Sequence, residues 1–388
     1  MIRPLCKATV TTAVTADETG APDNPRMTDA RKPTSPIKGR GAASRVASRF
    51  DATTTEGVDD GWGSVYEDLA DAPKPQTTVT EERARTILTR NTSPDVGFSQ
   101  SLNPYRGCEH GCVYCFARPT HSYLDLSPGL DFETKLFAKT NALDRLRDEL
   151  AKPGYVPQVT ALGINTDAYQ PIERRYGITR QVLELFAETK HPVSFVTKGA
   201  SIERDVDLLE RMARENLVSV HFSVTTLDNR LASRLEPRAS APHAKLRAMK
   251  ALSEAGVPVG VMVAPVIPMI TDMEMEHILE AAREHGAREA GYTLLRLPNE
   301  LKDVFREWLE LHYPERAAHV MSLVQQMRGG KDYSAEFGTR MTGTGVFAQL
   351  IQQRFRKARA RLGYGRLPDL DTTRFVPPRK PSPQGSLF

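Results

Sequence analysis

Cys108, Cys112 and Cys115 fall within eight residues of a chain of 388 that holds only four cysteines. They stand in the run Asn103-Pro104-Tyr105-Arg106-Gly107-Cys108-Glu109-His110-Gly111-Cys112-Val113-Tyr114-Cys115-Phe116. Thiolates are the ligands of iron–sulfur clusters, and a closed four-iron cluster takes four of them. Three leave one iron without a protein ligand, and that open position can bind a small molecule. Gly107 and Gly111 let the loop wrap closely around a cube. The competing chemistry is a zinc-binding module, with the same three cysteines plus His110 or His121 as ligands and no catalysis. Structural zinc sites more often use two separated ligand pairs, whereas these ligands share one compact loop. The fourth cysteine, Cys6, lies far away in an arm-like segment and is given no role.

The spacing C-x-x-x-C-x-x-C resembles the signature of the radical SAM superfamily. The longer run is similar to the spore photoproduct lyase-like subgroup of that family, and the resemblance extends from Phe98 to Pro298. It implies that Cys108, Cys112 and Cys115 hold a [4Fe–4S] cluster whose open iron binds S-adenosylmethionine. In this family one electron cleaves the sulfonium, and a 5′-deoxyadenosyl radical abstracts hydrogen from the substrate. The resemblance also implies a reducing partner of flavodoxin or ferredoxin type. By the same likeness Tyr114 and Phe116 flank the adenine, and Thr166 and Asp167 hold the methionine amino group. Lys198 and Ser223 bind the carboxylate or ribose, and Ala264 lines the same pocket. The charges suit these roles: Asp167 is an anion where an ammonium is held, and Lys198 a cation where a carboxylate is held.

The subgroup's pattern breaks at one point. The lyases carry a cysteine just ahead of the residues matched here by Thr166-Asp167, a thiol that returns hydrogen to the repaired product. Here the segment reads Gly163-Ile164-Asn165. Photoproduct repair is therefore not expected, and Tyr169 is the expected stand-in as catalytic hydrogen donor. Gln170, Pro171 and Glu173 are expected on the substrate side. Arg204-Asp205 and Arg234-x-Glu236 are expected as buried ion pairs, and His221 as a satisfied core or rim histidine. Arg296 is expected at the mouth, facing an anionic substrate group.

Such a site needs strands to carry it. β-rich runs at Gly97–Leu102, Val159–Gly163, Val193–Thr197, Val218–Val224, Val257–Val263 and Ala290–Arg296 alternate with helical stretches. The helices are expected near Thr140–Leu150, Thr179–Lys190, Arg204–Glu215, Pro242–Ala255 and Asp272–Glu284, with Thr179 as an N-cap and Gly256 just past a helix end. Alternation of this kind argues for a parallel sheet with βαβ crossovers, whose ligands lie at the C-terminal strand ends. The expected architecture is an α/β partial (β/α)6 TIM-type barrel over residues 95–300, with a helical C-terminal extension over 301–365. In the amphipathic helix Phe347–Leu362, the residues Phe347, Leu350, Ile351, Phe355 and Leu362 are expected to face the domain.

The flanks differ in composition. Residues 1–80 are rich in Thr, Ala, Asp, Pro and Gly and read as a flexible arm. Met27 is an alternative start, and the basic stretch Lys38–Phe50 reads first as a solvated linker and second as an arm that docks on the folded domain. Residues 366–388 read as a flexible tail. From Ile351 onward nine Lys/Arg stand against two Asp/Glu, a basic tail that reads mainly as a solvated face. A net charge of +4 is too small to imply nucleic-acid binding by itself. An open barrel side nevertheless admits a bulky substrate, and nucleic acid is the candidate class. No apolar run is long enough for a membrane span. The absence of a secretory leader pattern points to a cytoplasmic location.

Overall fold

The computed structural model describes residues 35–51 and 75–378. Cys6 and Met27 lie outside the described residues. The strands, in chain order, are β1 (Thr78–Glu82), β2 (Leu88–Arg90), β3 (Gln100–Leu102), β4 (Tyr105–Arg106), β5 (Lys135–Lys139), β6 (Thr160–Leu162), β7 (Val193–Thr197), β8 (Val218–Ser223), β9 (Val259–Val266) and β10 (Glu289–Leu294). Seven of them form one open sheet in the order β10-β9-β8-β7-β6-β3-β2. Every pair from β3 to β10 is parallel, and β2 joins β3 antiparallel at the edge. The six expected strands are thus all present and parallel, in an open sheet rather than a closed barrel.

Crossover helices bury one stripe each against this sheet. Helix Ile178–Glu188 places Val182, Leu183, Leu185 and Phe186 inside. Helix Pro242–Glu254 buries Ala248, Met249 and Leu252 and ends at Gly256, whose φ of 81° only glycine adopts cheaply. Thr179 is not the N-cap. It lies inside its helix, where its hydroxyl donates to Ala168 O at 2.6 Å, and Gly177 holds the cap position at φ 62°.

Two histidines are locked neutral in this framework. Burial pushes His121 and His191 down from 6.5 to about 4. His191 stacks on Phe186 at 4.8 Å, and His121 meets Phe132 edge-on at 5.1 Å. Each gains a proton only on unfolding, so between pH 6.5 and 4 the unfolded chain binds more protons. Stability is therefore expected to be full above pH 6.5 and to fall toward pH 4, by about 2.7 kcal/mol per pH unit at the steepest. Urea unfolding at several pH values checks this; an equally flat curve in His191→Gln and wild type would refute it.

The flanking segments are more ordered in their packing than their composition suggested. The basic stretch is not a solvated linker: Ala42 is buried, and Arg49 Nη1 meets Glu300 at 2.8 Å. Residues 366–378 do not form a loose tail. Val376 N donates to Thr189 O at 2.9 Å, Phe375 packs on Tyr155 and His191, and Arg374 pairs with Glu215 at 2.7 Å. Helix Gly345–Arg361 buries Ala348, Ile351, Phe355 and Ala358, while Leu350 stays 48% exposed. Its Arg354 and Arg361 pair with Glu276 and Glu280, so part of the basic tail is spent on the domain itself.

The C-terminal helices Leu301–His312 and Pro314–Gln326 share one apolar cluster with Ala42, Cys112, Val113, Tyr114 and Leu130. The extension is thus built onto the cysteine loop. A loop beyond it also ties the two sheet edges together. Met341 O accepts from Leu294 N of β10 at 2.9 Å, while Gly338 N and Arg340 bind Asp95 in the β2–β3 turn. No described helix is long and apolar enough to cross a membrane.

Candidate active site

The cysteine loop leaves the sheet at the C-terminal end of β3 and returns to a second, three-stranded sheet. There β5 lies between β1 and β4, and Tyr105 and Arg106 pair antiparallel with Ala138 and Phe137. The loop is therefore an excursion whose two ends are pinned beside each other. Gly107 and Gly111 take φ of 73° and 66°, and a β-carbon on either would collide with Phe132 O or the Glu133 carboxylate. Cys108 N donates to Phe132 O at 3.0 Å, Cys115 N to Cys112 O at 3.2 Å, and Arg118 N to Cys115 O at 3.1 Å.

Cys108 and Cys112 are buried, Cys115 is half-buried, and none is in a disulfide. Burial pushes all three thiols up, and thiols must lose their protons to bind a metal. The donor set is three soft thiols on one glycine-hinged loop, which fits a four-iron cluster with one open iron. Each of the two nearby histidines has one ring nitrogen engaged, and His121 Nδ1 is buried without a hydrogen-bond partner. His121 Nε2 lies 2.9 Å from Lys135 O, and His110 Nδ1 lies 3.4 Å from Asp167 Oδ2. Among the described residues no group of three His, Cys, Asp or Glu is placed to hold a single metal ion.

The loop after β6 grips the inner side of the cysteine loop. Thr166 Oγ1 donates to Gly107 O at 2.7 Å. Gln170 Nε2 donates to the same carbonyl at 3.2 Å, and Gln170 Oε1 accepts from Glu109 N at 2.9 Å. Asp167 accepts from Tyr169 N, Thr197 Oγ1 and Lys198 N at 2.7–2.8 Å, and it faces His110. Burial alone would raise its carboxyl, but His110 and these donors bring it down to about 2. Asp167 is an anion whose lone pairs are already used, so its effect on an ammonium is mainly one of field.

The ends of β7, β8 and β9 meet in one buried polar network. Lys198 Nζ donates to Ser223 Oγ and lies 3.9 Å from Glu236 Oε2 and 5.6 Å from the Tyr114 ring centroid. Ser223 Oγ donates to Ala264 O at 3.0 Å, and Thr225 Oγ1 donates to the same carbonyl at 3.1 Å. Glu236 pairs with the fully buried Lys245 and accepts from the Tyr114 hydroxyl. The expected pair Arg234–Glu236 is replaced by Lys245 and Lys198 around Glu236, whereas Arg204 does pair with the buried Asp205 at 2.8 Å but is itself exposed, so that pair is only half buried.

The structure therefore brings Cys108, Cys112, Cys115, Tyr114, Thr166, Asp167, Lys198, Ser223 and Ala264 into one region. Several expectations change. Tyr114 is buried with its hydroxyl on Glu236 and Thr225, so it packs and leaves Phe116, 44% exposed, as the accessible ring. Tyr169 is not presented to a substrate. It sits in the core against Phe195, and its hydroxyl donates to Asp205 Oδ2 at 3.0 Å. Gln170 and Glu173 are also buried and used internally, Glu173 by Tyr105, Thr179 N and Arg204. His221 is paired with Glu289 at 3.5 Å.

Arg296 does reach the cysteine side. Its guanidinium lies 5.6 Å from the Phe116 centroid and 6.0 Å from that of Tyr333, and its Nε is buried without a hydrogen-bond partner. Sequence reasoning missed Arg118, Glu133 and Lys245, which hold the site from behind, and gave Gln170 and Glu236 other partners than the structure does. None of them belongs to a spaced motif.

Comparison with known proteins agrees with this geometry. The radical SAM superfamily model matches residues 102–282. An uncharacterized protein of Mycobacterium tuberculosis (strain H37Rv) is 37% identical over 231 residues, covering 59% of this chain and 68% of that one. An uncharacterized protein of Methanocaldococcus jannaschii is 25% identical over 220 residues, 56% of this chain and 78% of that one. Solved structures of spore photoproduct lyase superpose with a TM-score of 0.54 at 16% identity, covering 82% of this chain and 87% of theirs, which is a likeness of fold. Members of the matched superfamily use a [4Fe–4S] cluster and S-adenosylmethionine. With its three-cysteine loop set at the ends of an open parallel sheet, the chain belongs to the radical SAM superfamily.

Proposed function

We propose that Cys108, Cys112 and Cys115 hold a [4Fe–4S] cluster, and that the strand ends around Asp167, Lys198 and Ser223 hold S-adenosylmethionine for a radical reaction on a polyanionic macromolecule. The observation that carries this reading is the buried three-thiol loop lying against those charged groups. When bound and reduced, the cluster supplies the electron that cleaves S-adenosylmethionine and yields a hydrogen-abstracting 5′-deoxyadenosyl radical. A flavodoxin- or ferredoxin-type carrier is the proposed reductant.

The chain's own residues divide the binding work. Lys198, now on Ser223, supplies a cation for the methionine carboxylate, and Ser223 and the Ala264 carbonyl offer polar contacts beside it. The turn Thr166-Asp167 provides the negative field for the amino group, and Phe116 offers an exposed ring face to the adenine. Nucleic acid is the proposed substrate class, because among the described residues the Arg296 guanidinium meets Met341 Sδ and Tyr333 Oη but no carboxylate, and lies against two aromatic rings. One solved relative of the same fold is complexed with a dinucleoside spore photoproduct, which supports that class.

The test is anaerobic reconstitution, reduction, and electron paramagnetic resonance with and without S-adenosylmethionine, alongside an assay for 5′-deoxyadenosine. A cluster signal that shifts on adding S-adenosylmethionine, with cleavage product, is expected. Stoichiometric zinc without an iron signal would overturn the reading. For the substrate class, Arg296→Ala is expected to weaken oligonucleotide binding about tenfold and to lower the salt slope by about one. Background cleavage of S-adenosylmethionine should persist in this variant. Salt-independent or absent oligonucleotide binding by wild type would exclude nucleic acid.

A further inference from the structure

We infer that residues 38–46, which precede the sheet in the chain, form the outer wall of the cluster site, and that Gly41, Glu133 and Arg118 hold the cysteine loop in its binding shape. The inference rests on the reading of that loop as a cluster site. Gly41 touches the loop backbone directly. A β-carbon placed on it would sit 1.8 Å from Gly111 O and 3.3 Å from Arg118 Nη2, so no other residue permits this approach.

Glu133 is the joint between the two segments. Its carboxylate is wholly buried and accepts from Gly41 N at 2.9 Å, Ala42 N at 2.8 Å and Arg118 Nη2 at 3.0 Å. Arg118, also wholly buried, spends its remaining donors on loop carbonyls. They reach Cys112 O at 2.8 Å, Gly111 O at 3.1 Å, Gly129 O at 2.7 Å and Pro128 O at 3.2 Å. The successive carbonyls of Gly111 and Cys112 are thus held by a cation whose counter-ion is itself held by residues 41 and 42. Removing those two N–H groups would leave a buried carboxylate short of donors, a costly state.

The outer segment is anchored apart from the loop as well. Arg40 Nη2 donates to Pro75 O at 2.8 Å and Thr77 Oγ1 at 3.0 Å. Ser44 Oγ donates to Glu307 at 2.7 Å, and Arg49 Nη1 to Glu300 at 2.8 Å. Thr166 and Gln170 grip the same loop from the other side at Gly107 and Glu109. The loop is therefore clamped on two faces. Outer partners of this kind orient metal ligands and set how much solvent reaches the metal.

The full-length chain tests this, reconstituted without oxygen, as wild type, Gly41→Val and the double variant Ser44→Ala with Arg49→Ala. The double variant releases the far end of the segment and alters no residue of the cysteine loop. The readouts are the rate of iron loss to a ferrous chelator, the reduction midpoint, and the melting of the iron-free chain. Iron loss is expected to be about tenfold faster in Gly41→Val, the scale on which outer partners act on metal sites. A smaller rise is expected in the double variant, with a displaced midpoint in both. Unchanged iron loss and midpoint, or lowered melting alone, would overturn the inference. If Gly41→Val does not fold, the double variant decides by the same readouts. A wild-type chain that takes up no iron would instead overturn the cluster reading itself, and this inference with it.

Discussion

Cys112→Ala is expected to lose 5′-deoxyadenosine formation by about a thousandfold or more, equivalent to about 4 kcal/mol of barrier. Its brown absorbance after reconstitution should fall in parallel. The physical reason is the ligand count. Three thiolates already leave one iron open, and two cannot hold a four-iron cube against loss to solvent. Cys112 is the informative choice because it is buried and its carbonyl is held by Arg118, so the loop around it keeps its shape when the sulfur is removed. Cys108→Ala and Cys115→Ala should behave alike. Full cleavage activity in any of the three would remove that cysteine from the ligand set.

Lys245→Ala is expected to be among the most destabilising single changes in the chain, by about 3–5 kcal/mol. Lys245 and Glu236 are both buried beyond the reach of water and bond to each other. Burial would raise the Glu236 carboxyl, but Lys245 first and then Lys198 bring it below its ordinary value. Without Lys245 the buried carboxylate keeps only Lys198, at 3.9 Å, and the Tyr114 hydroxyl. Pairing Lys245→Met with Glu236→Leu is expected to recover part of the loss, because both desolvation penalties then disappear. Denaturant unfolding of the two single variants and the double closes the cycle. A single variant within about 0.5 kcal/mol of wild type would show that the pair does not carry the stability assigned to it. The same network holds Lys198 beside Ser223, so the stable double variant should still show weaker affinity for S-adenosylmethionine.

The strands and crossover helices were legible because their signal is local. Val193–Thr197 alternates Val193, Phe195 and Thr197 on one face, and Ile178–Glu188 repeats Val182, Leu183, Leu185 and Phe186 at helical spacing. β5 carries the same kind of alternation, with Leu136 and Ala138 buried between half-buried neighbours, yet its pairing with the two-residue β4 has no sequence mark. Thr179 misled as a cap because threonine caps a helix only when the chain turns there. The turn instead belongs to Gly177. Tyr169 misled because its distance along the chain from Asp167 says nothing of which side of the β6 end its ring takes. Phe195 and Asp205 draw it into the core.

The sequence alone determined the donor chemistry: three thiols within eight residues, with glycines ahead of the first two. It also determined the order of strands and helices that places the loop at a strand end. Both are properties of neighbours in the chain. The tertiary structure alone decided what holds that loop. Gly41 and Gly111 are 70 residues apart, and the chain bears no periodic sign that they touch. Composition assigned residues 38–50 to a linker because it averages over residues. A close backbone approach and two N–H groups on one buried carboxylate depend on single positions. Arg118, Glu133, Glu236 and Lys245 follow the same logic: a charge is read as solvated until the fold shows the partner that allows it to be buried.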